Sequence, residues 1–180
     1  MMVIYYLSAP RMDLVQAFRE AQADYERGDG APDGEGLALD ELKRGTMRGF
    51  VESQAAGTSM RRGVRPTMAG MDLWWCRARL GKATDVIGRV AFRHDLAPAH
   101  YDSGGQLWVS IRPSFRGKGH GLRLLLAALE QAPGKALRAP IIVVRDDNPA
   151  ALAIVQTATR LVGGEMIWHR SGRRAFRFNI

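Results

Sequence analysis

The stretch "RPSFRGKGHG", residues 112–121, decides how this chain is read. It gathers Arg112, Arg116, Lys118 and His120 with Gly117, Gly119 and Gly121, between the apolar run "LWVSI" (107–111) and "LRLLLAALE" (122–130). The first run predicts a strand. In the second, Leu122, Leu125, Leu126 and Leu129 recur at i, i+3, i+4 and i+7, which predicts a helix ended by Pro133 and Gly134. Glycines at such a strand-to-helix turn remove side chains where the first backbone N–H groups have no intrahelical acceptor. The helix dipole adds partial positive charge at the same point, and Arg116 and Lys118 supply charge-assisted bonds. Together these features predict a site for a pyrophosphate.

Two nucleotide motifs fail on spacing. The P-loop requires a hydroxyl residue directly after its Gly-Lys, whereas Lys118 is followed by Gly119. The dinucleotide fingerprint requires G-x-G-x-x-G, whereas Gly117, Gly119 and Gly121 alternate.

The rest of the sequence bounds the fold. At 180 residues with 46% hydrophobic content, one globular domain over 1–180 is expected. No apolar run of about 18 residues and no charged-then-apolar leader occurs, so neither a membrane span nor a secretory signal is expected. The single cysteine, Cys76, rules out an internal disulfide and suits a reducing cytoplasm. His94, His100, His120 and His169 are scattered along the chain, and no metal site is expected from them. The net charge of +8 favours an anionic ligand. Its distribution is uneven: residues 24–41 are acidic, while 43–65 and the C-terminal Arg170, Arg173, Arg174 and Arg177 are basic. Solvated faces account for such blocks before a polymer site does.

Periodicity orders the remaining elements. "MVIYYL" reads as a first strand, Leu14, Phe18, Ala21 and Tyr25 as the apolar stripe of a helix over 11–27, and 39–56 as a second helix. "MDLWWCRAR" and "DVIGRVAFRH" are strands joined by a turn at Gly81 and Lys82. "APIIVVRD" is a buried strand, Asn148 and Pro149 start a helix, and "GEMIWHR" and "RRAFRFNI" close the chain as a hairpin. The expectation is an α/β domain of order β-α-α-β-β-β-α-β-α-β-β, with a parallel crossover over 106–144. Adjacent tryptophans in "LWW" are read as core in preference to a dimer face, and a monomer or homodimer is expected.

Read from Arg116 through Gly119 to Gly121, the turn fits R-x-x-G-x-G/A, preceded by a V-x-P-x-x-R-like step at Ile111, Pro113 and Arg116. With "IGRVAFRHDL", "GGQLWVSIRPS", "VVRDDNPAA" and "GGEM" in that order, the chain resembles the GNAT superfamily of acyl-CoA-dependent N-acetyltransferases, and within it a bacterial subgroup of predicted acetyltransferases. The resemblance covers about residues 71–180, the cofactor-binding core, while 1–57 would shape the acceptor site. It implies splayed strands at 106–111 and 140–145 that admit the pantetheine arm of acetyl-CoA as an added strand. Val109 and Ile111 would then offer main-chain groups. Arg116, Gly117, Lys118, Gly119, His120 and Gly121 would hold the pyrophosphate, and Asn148 with Ala151 would line the far side near the thiol.

The acid and base are less legible. Many family members carry a tyrosine seven residues after the Asn148 equivalent, where this chain has Val155; and where the subgroup reads H-I-G-Y, it has Gln106, Leu107, Trp108 and Val109. The stretch from Asn148 to the following glycine pair is about four residues longer than usual, roughly one helical turn. The catalytic candidates come from "RHDLAPAHYDSGG": His94 as base and Tyr101 as acid. The resulting expectation is acetyl transfer from acetyl-CoA to a primary amine of a small molecule, with no metal and no membrane partner. A polymer amine (aminoacyl-tRNA or protein) met by the basic segments, or a non-catalytic acyl-CoA-binding module, stand as alternatives.

Overall fold

The computed structural model describes residues 2–29, 47–55, 70–93, 105–132, 134 and 137–180. The elements are β1 (Val3–Ser8), α1 (Val15–Asp29), α2 (Met47–Ala55), β2 (Gly70–Arg79), β3 (Asp85–Arg93), β4 (Leu107–Ile111), α3 (His120–Gln131), β5 (Ile141–Arg145), α4 (Pro149–Val162), β6 (Gly164–Arg170) and β7 (Arg173–Phe178). This is the order that periodicity predicts. One 3-10 turn at Met12–Leu14 leads into α1, which runs to Asp29. The expected start of the second helix, 39–46, lies outside the described residues.

The strands form two antiparallel sheets, ordered β1-β2-β3-β4 and β5-β7-β6. Helices cover both faces of the first, which explains why β2 buries consecutive residues. Leu73 and Trp75 join the cluster under α3 and α4, and Trp74 and Cys76 join the one under α1. Trp74 is fully buried and stacks on Phe18 with ring centroids 4.5 Å apart, so both tryptophans of "LWW" belong to the core. Burial pushes the Cys76 thiol up to about 12, which leaves it inert. On α3 the buried stripe is Leu124, Leu125, Ala128 and Leu129. Leu122 and Leu126 flank it, a rotation of about one position from the periodic reading.

Among the described residues the two sheets are joined at one end. β4 and β5 are both edge strands, and their described link is one bridge, Gly105 to Ile142, with the Gln106 N–H donating to the Ile141 carbonyl at 2.7 Å. The bridge is antiparallel in type, and no parallel ladder between β4 and β5 is found among the described residues. Glycine is required there: Gly105 has φ +72°, and a Cβ would lie 2.3 Å from the Ile141 carbonyl oxygen. Beyond this contact β4 and β5 keep one backbone edge each outside any ladder.

Candidate functional site

The turn after β4 is built to leave a helix end open. Arg112 N–H donates to the Ile87 carbonyl at 3.0 Å, and one 3-10 turn at Pro113–Phe115 closes with Arg116 N–H on the Pro113 carbonyl at 3.1 Å. Gly117 (φ +71°) and Gly119 (φ +77°) then reverse the backbone twice, with nothing within 4 Å of where a Cβ would stand. These two are glycines for conformation. Gly121 is one for packing, since a Cβ there would come 2.6 Å from the Ile154 side chain of α4. Gly119 caps α3 with no side-chain bond, and the first helical bond runs from Arg123 N–H to the Gly119 carbonyl at 3.4 Å. Among the described residues no acceptor meets the backbone N–H groups from Gly117 to Leu122. A helix N-terminus of this kind suits an anion.

The flanking cations are braced by backbone. Arg116 Nε donates to the Ile111 carbonyl at 2.9 Å, and its guanidinium lies 5.9 Å from the Tyr25 ring centroid. Lys118 Nζ donates to the Ser114 carbonyl at 2.7 Å and sits 5.3 Å from the Phe115 ring centroid. Neither bond removes charge, so both residues keep positive charge beside the open amides. His120 differs. Its side chain is buried, tilted against Tyr5 with ring centroids 5.1 Å apart and against Phe115 at 6.2 Å. Burial, with Arg123, Arg77 and Lys118 nearby, holds its pKa below the ordinary histidine value. What residue 120 offers a ligand is its backbone N–H.

Helix α1 is clamped to this turn by contacts that sequence spacing does not reveal. Asp24 Oδ2 accepts from Arg112 Nε (2.9 Å), Ser114 N–H (3.1 Å) and Ser114 Oγ (2.6 Å). Burial raises the Asp24 pKa, but the Ser114 bonds and the Arg112 guanidinium outweigh it and hold the carboxyl below the usual carboxylate range. One residue on, the Tyr25 hydroxyl pairs with Ser110 Oγ on β4 at 2.7 Å. At Gly28 a Cβ would stand 2.7 Å from Pro113, so α1 lies directly on the turn. Separations of 85 to 90 residues put these pairs beyond any local motif.

Across the opening, Asn148 caps α4, its Oδ1 accepting from Ala151 N–H at 3.0 Å. That bond occupies the Ala151 amide, while the exposed Asn148 keeps its side-chain amine. On β4, Val109 and Ile111 pack toward the α3 and α4 cluster, and the Ile111 carbonyl is held by Arg116. Near the C-terminal end of β5, Arg145, Asp146, Asp147, Ser171, Gly172 and Arg173 line a shallow open depression. There Asp146 bridges His169 Nε2 (2.7 Å) and Arg174 Nε (2.9 Å), and Arg145 pairs with Asp147. Hydrogen bonds from His169 and then Arg174 hold the Asp146 carboxyl below its ordinary range. Val155 is buried in the core. His94 and Tyr101, the sequence-based base and acid, lie outside the described residues. Among the described residues no group of three or more His, Cys, Asp or Glu converges as a metal site, and no helix is long and apolar enough to cross a membrane.

Two antiparallel sheets joined by one bridge, beside a glycine-rich helix start with no side-chain cap, form an arrangement shared with solved acetyltransferases. The chain belongs to the acetyltransferase (GNAT) family, whose sequence profile matches residues 59–156, more than half its length. Solved structures share the fold at low identity. An acetyltransferase from Acinetobacter baylyi ADP1, described as putative, matches with TM-score 0.60 at 11% identity, over 99% of this chain and 93% of that one. A ribosomal-protein alpha-N-acetyltransferase in complex with coenzyme A matches with TM-score 0.59 at 15% identity, over 98% and 94%. The spermidine N-acetyltransferase from Vibrio cholerae, in complex with CoA and spermine, matches with TM-score 0.56 at 14% identity, over 98% and 94%. No curated protein matches the chain.

Proposed function

We propose that the protein transfers an acetyl group from acetyl-CoA to a primary amine of a small molecule, by direct attack of the amine on the thioester. The observation that carries this reading is the run of backbone N–H groups from Gly117 to Leu122 without acceptors among the described residues, set beside Lys118 and Arg116 next to two edge strands linked by a single bridge. Acetyl-CoA supplies the activated acyl group and a thiolate leaving group. In this reading the Gly117–Leu122 amides and Lys118 bind its pyrophosphate, and the unladdered edge of β4 around Val109 and Ile111 orients the pantetheine. Asn148 bounds the thiol end with its side-chain amine.

Fixing both ends of the coenzyme converts an encounter into a positioned reaction. Main-chain N–H groups on the β4 edge are suited to stabilise charge developing on the carbonyl oxygen. Proton removal from the amine and delivery to sulfur are assigned to His94 and Tyr101, each contributing about 10²- to 10⁴-fold. The small-molecule acceptor is favoured over a polymer because two of the C-terminal arginines are already paired, Arg174 with Asp146 and Arg177 with Glu165. The test is free-thiol release from acetyl-CoA with a panel of small amines, peptides and charged tRNA. Release with small amines is expected. Release only with tRNA or protein overturns the acceptor assignment, and coenzyme binding without turnover on any acceptor overturns the catalytic one.

A further inference from the structure

We infer that Asp24 of α1 is a positioning residue for coenzyme binding, holding the 112–116 turn from behind so that the Gly117–Leu122 amides converge; this rests on the reading of that turn as the coenzyme site. The turn has little internal support. Its own backbone bonds, Phe115 N–H to Arg112 carbonyl (2.8 Å) and Arg116 N–H to Pro113 carbonyl (3.1 Å), both end before Gly117. The two positive-φ glycines that follow have open space around them and impose no position by packing. Placement of the amides therefore depends on what anchors residues 112–116 to the body. On the sheet side the anchors are Arg112 N–H on the Ile87 carbonyl and Arg116 Nε on the Ile111 carbonyl. On the α1 side, alongside the packing of Gly28 on Pro113, Asp24 Oδ2 takes three hydrogen bonds from Arg112 and Ser114 with its side chain only 13% exposed. Bonds to a charged, largely buried acceptor are the strong ones, and this acceptor is supplied by a different element.

The sign of the effect separates positioning from simple electrostatics. Asp24 places a negative charge close to a site that binds an anion. If charge alone mattered, removing it would tighten coenzyme binding. If Asp24 acts by holding Ser114 and Arg112 in place, removing it weakens binding despite the gain in positive potential. Asp24→Asn keeps the size of the side chain and discards the charge, so it tests the two directly.

The experiment is calorimetric titration of the full chain with coenzyme A. It compares wild type, Asp24→Asn, Ser114→Ala, the double variant, and Asp13→Asn as a control that breaks the exposed ion pair to Arg11 ahead of α1, at the other end of that helix from Asp24. The expected result is about tenfold weaker binding for Asp24→Asn, the scale of a lost charge-assisted bond. A smaller loss is expected for Ser114→Ala, none for Asp13→Asn, and a double variant no worse than Asp24→Asn alone. In steady state the KM for acetyl-CoA rises, and kcat at saturating acetyl-CoA is unchanged, which general destabilisation does not produce. If Asp24→Asn does not fold, Ser114→Ala carries the test through the same KM split. Wild-type binding with unchanged or tighter binding by Asp24→Asn, or by Ser114→Ala in its place, overturns the inference alone. No coenzyme A binding by the wild-type chain overturns the reading of the site, and the inference with it.

Discussion

Helices α3 and α4 each follow an edge strand and pack on the same core cluster, yet their first turns are finished in opposite ways. At α4, Asn148 folds its side chain back onto the Ala151 amide and Pro149 removes another donor, so the end is largely satisfied from within. At α3 the cap is Gly119, which has no side chain to fold back, and the amides from Gly117 to Leu122 have no protein acceptor among the described residues. An N-cap of Ser, Thr, Asp or Asn ordinarily stabilises a helix by about 1 kcal/mol relative to Ala. With a side-chain cap at α4 and none at α3, the α3 amides are the ones suited to an external anion, the role proposed for them.

The contrast depends on the edges staying apart, and the largest effect is expected where they are pinned. Gly105→Ala combines a φ of +72° with a Cβ 2.3 Å from the Ile141 carbonyl oxygen. It should cost about 3 kcal/mol or more. A thermal melt should show Tm falling by about 6–12 °C for a domain of this size. Next is a conversion of one helix start into the other. Gly119→Asp gives α3 a side chain able to cap its own amides, and puts a carboxylate where the pyrophosphate would sit. Coenzyme A binding measured by calorimetry should fall by about a hundredfold or more, with Tm changed by less than in Gly105→Ala. The reverse removal, Asn148→Ala, should cost about 1 kcal/mol in chemical denaturation.

The smallest expected effect is in acid. Asp24 has a native pKa below its unfolded value. Its stabilising contribution is therefore fully present above the usual carboxylate pKa of about 3.9 and is lost as pH falls through the lower native value. In urea titrations below about pH 4, Asp24→Asn should lose stability less steeply than wild type.

The same comparison shows what a sequence discloses. Each helix start is local: a strand pattern, a cap or its absence, and a helical stripe lie within about twenty residues. The α3 glycine turn, the Asn148 cap and the burial of "LWW" were all legible for that reason. The α1 clamp was not. Tyr25 reads as a stripe residue and is indeed buried, but nothing in its neighbourhood marks its bond to Ser110. Asp24 reads as one more acid in an acidic block, though it anchors the turn 90 residues later. Gly121 carries a similar lesson: within a glycine-rich motif it reads as a residue for the anion, and its missing side chain also makes room for Ile154. Between the strands expected to splay, 106–111 and 140–145, the link among the described residues is a single antiparallel-type bridge, a detail the pattern does not disclose. Gly105 turns the chain at that point, and register between two edges is set by such backbone contacts, which periodicity does not encode.

The most direct test of the open helix end is an amide-resolved NMR titration of the isotope-labelled chain with coenzyme A. The account predicts the largest shift changes at the N–H groups of Gly117, Lys118, Gly119, His120 and Gly121, with the Ala151 amide, already held by Asn148, changing less. Saturable binding that leaves the 117–121 amides unmoved while shifting others would contradict it.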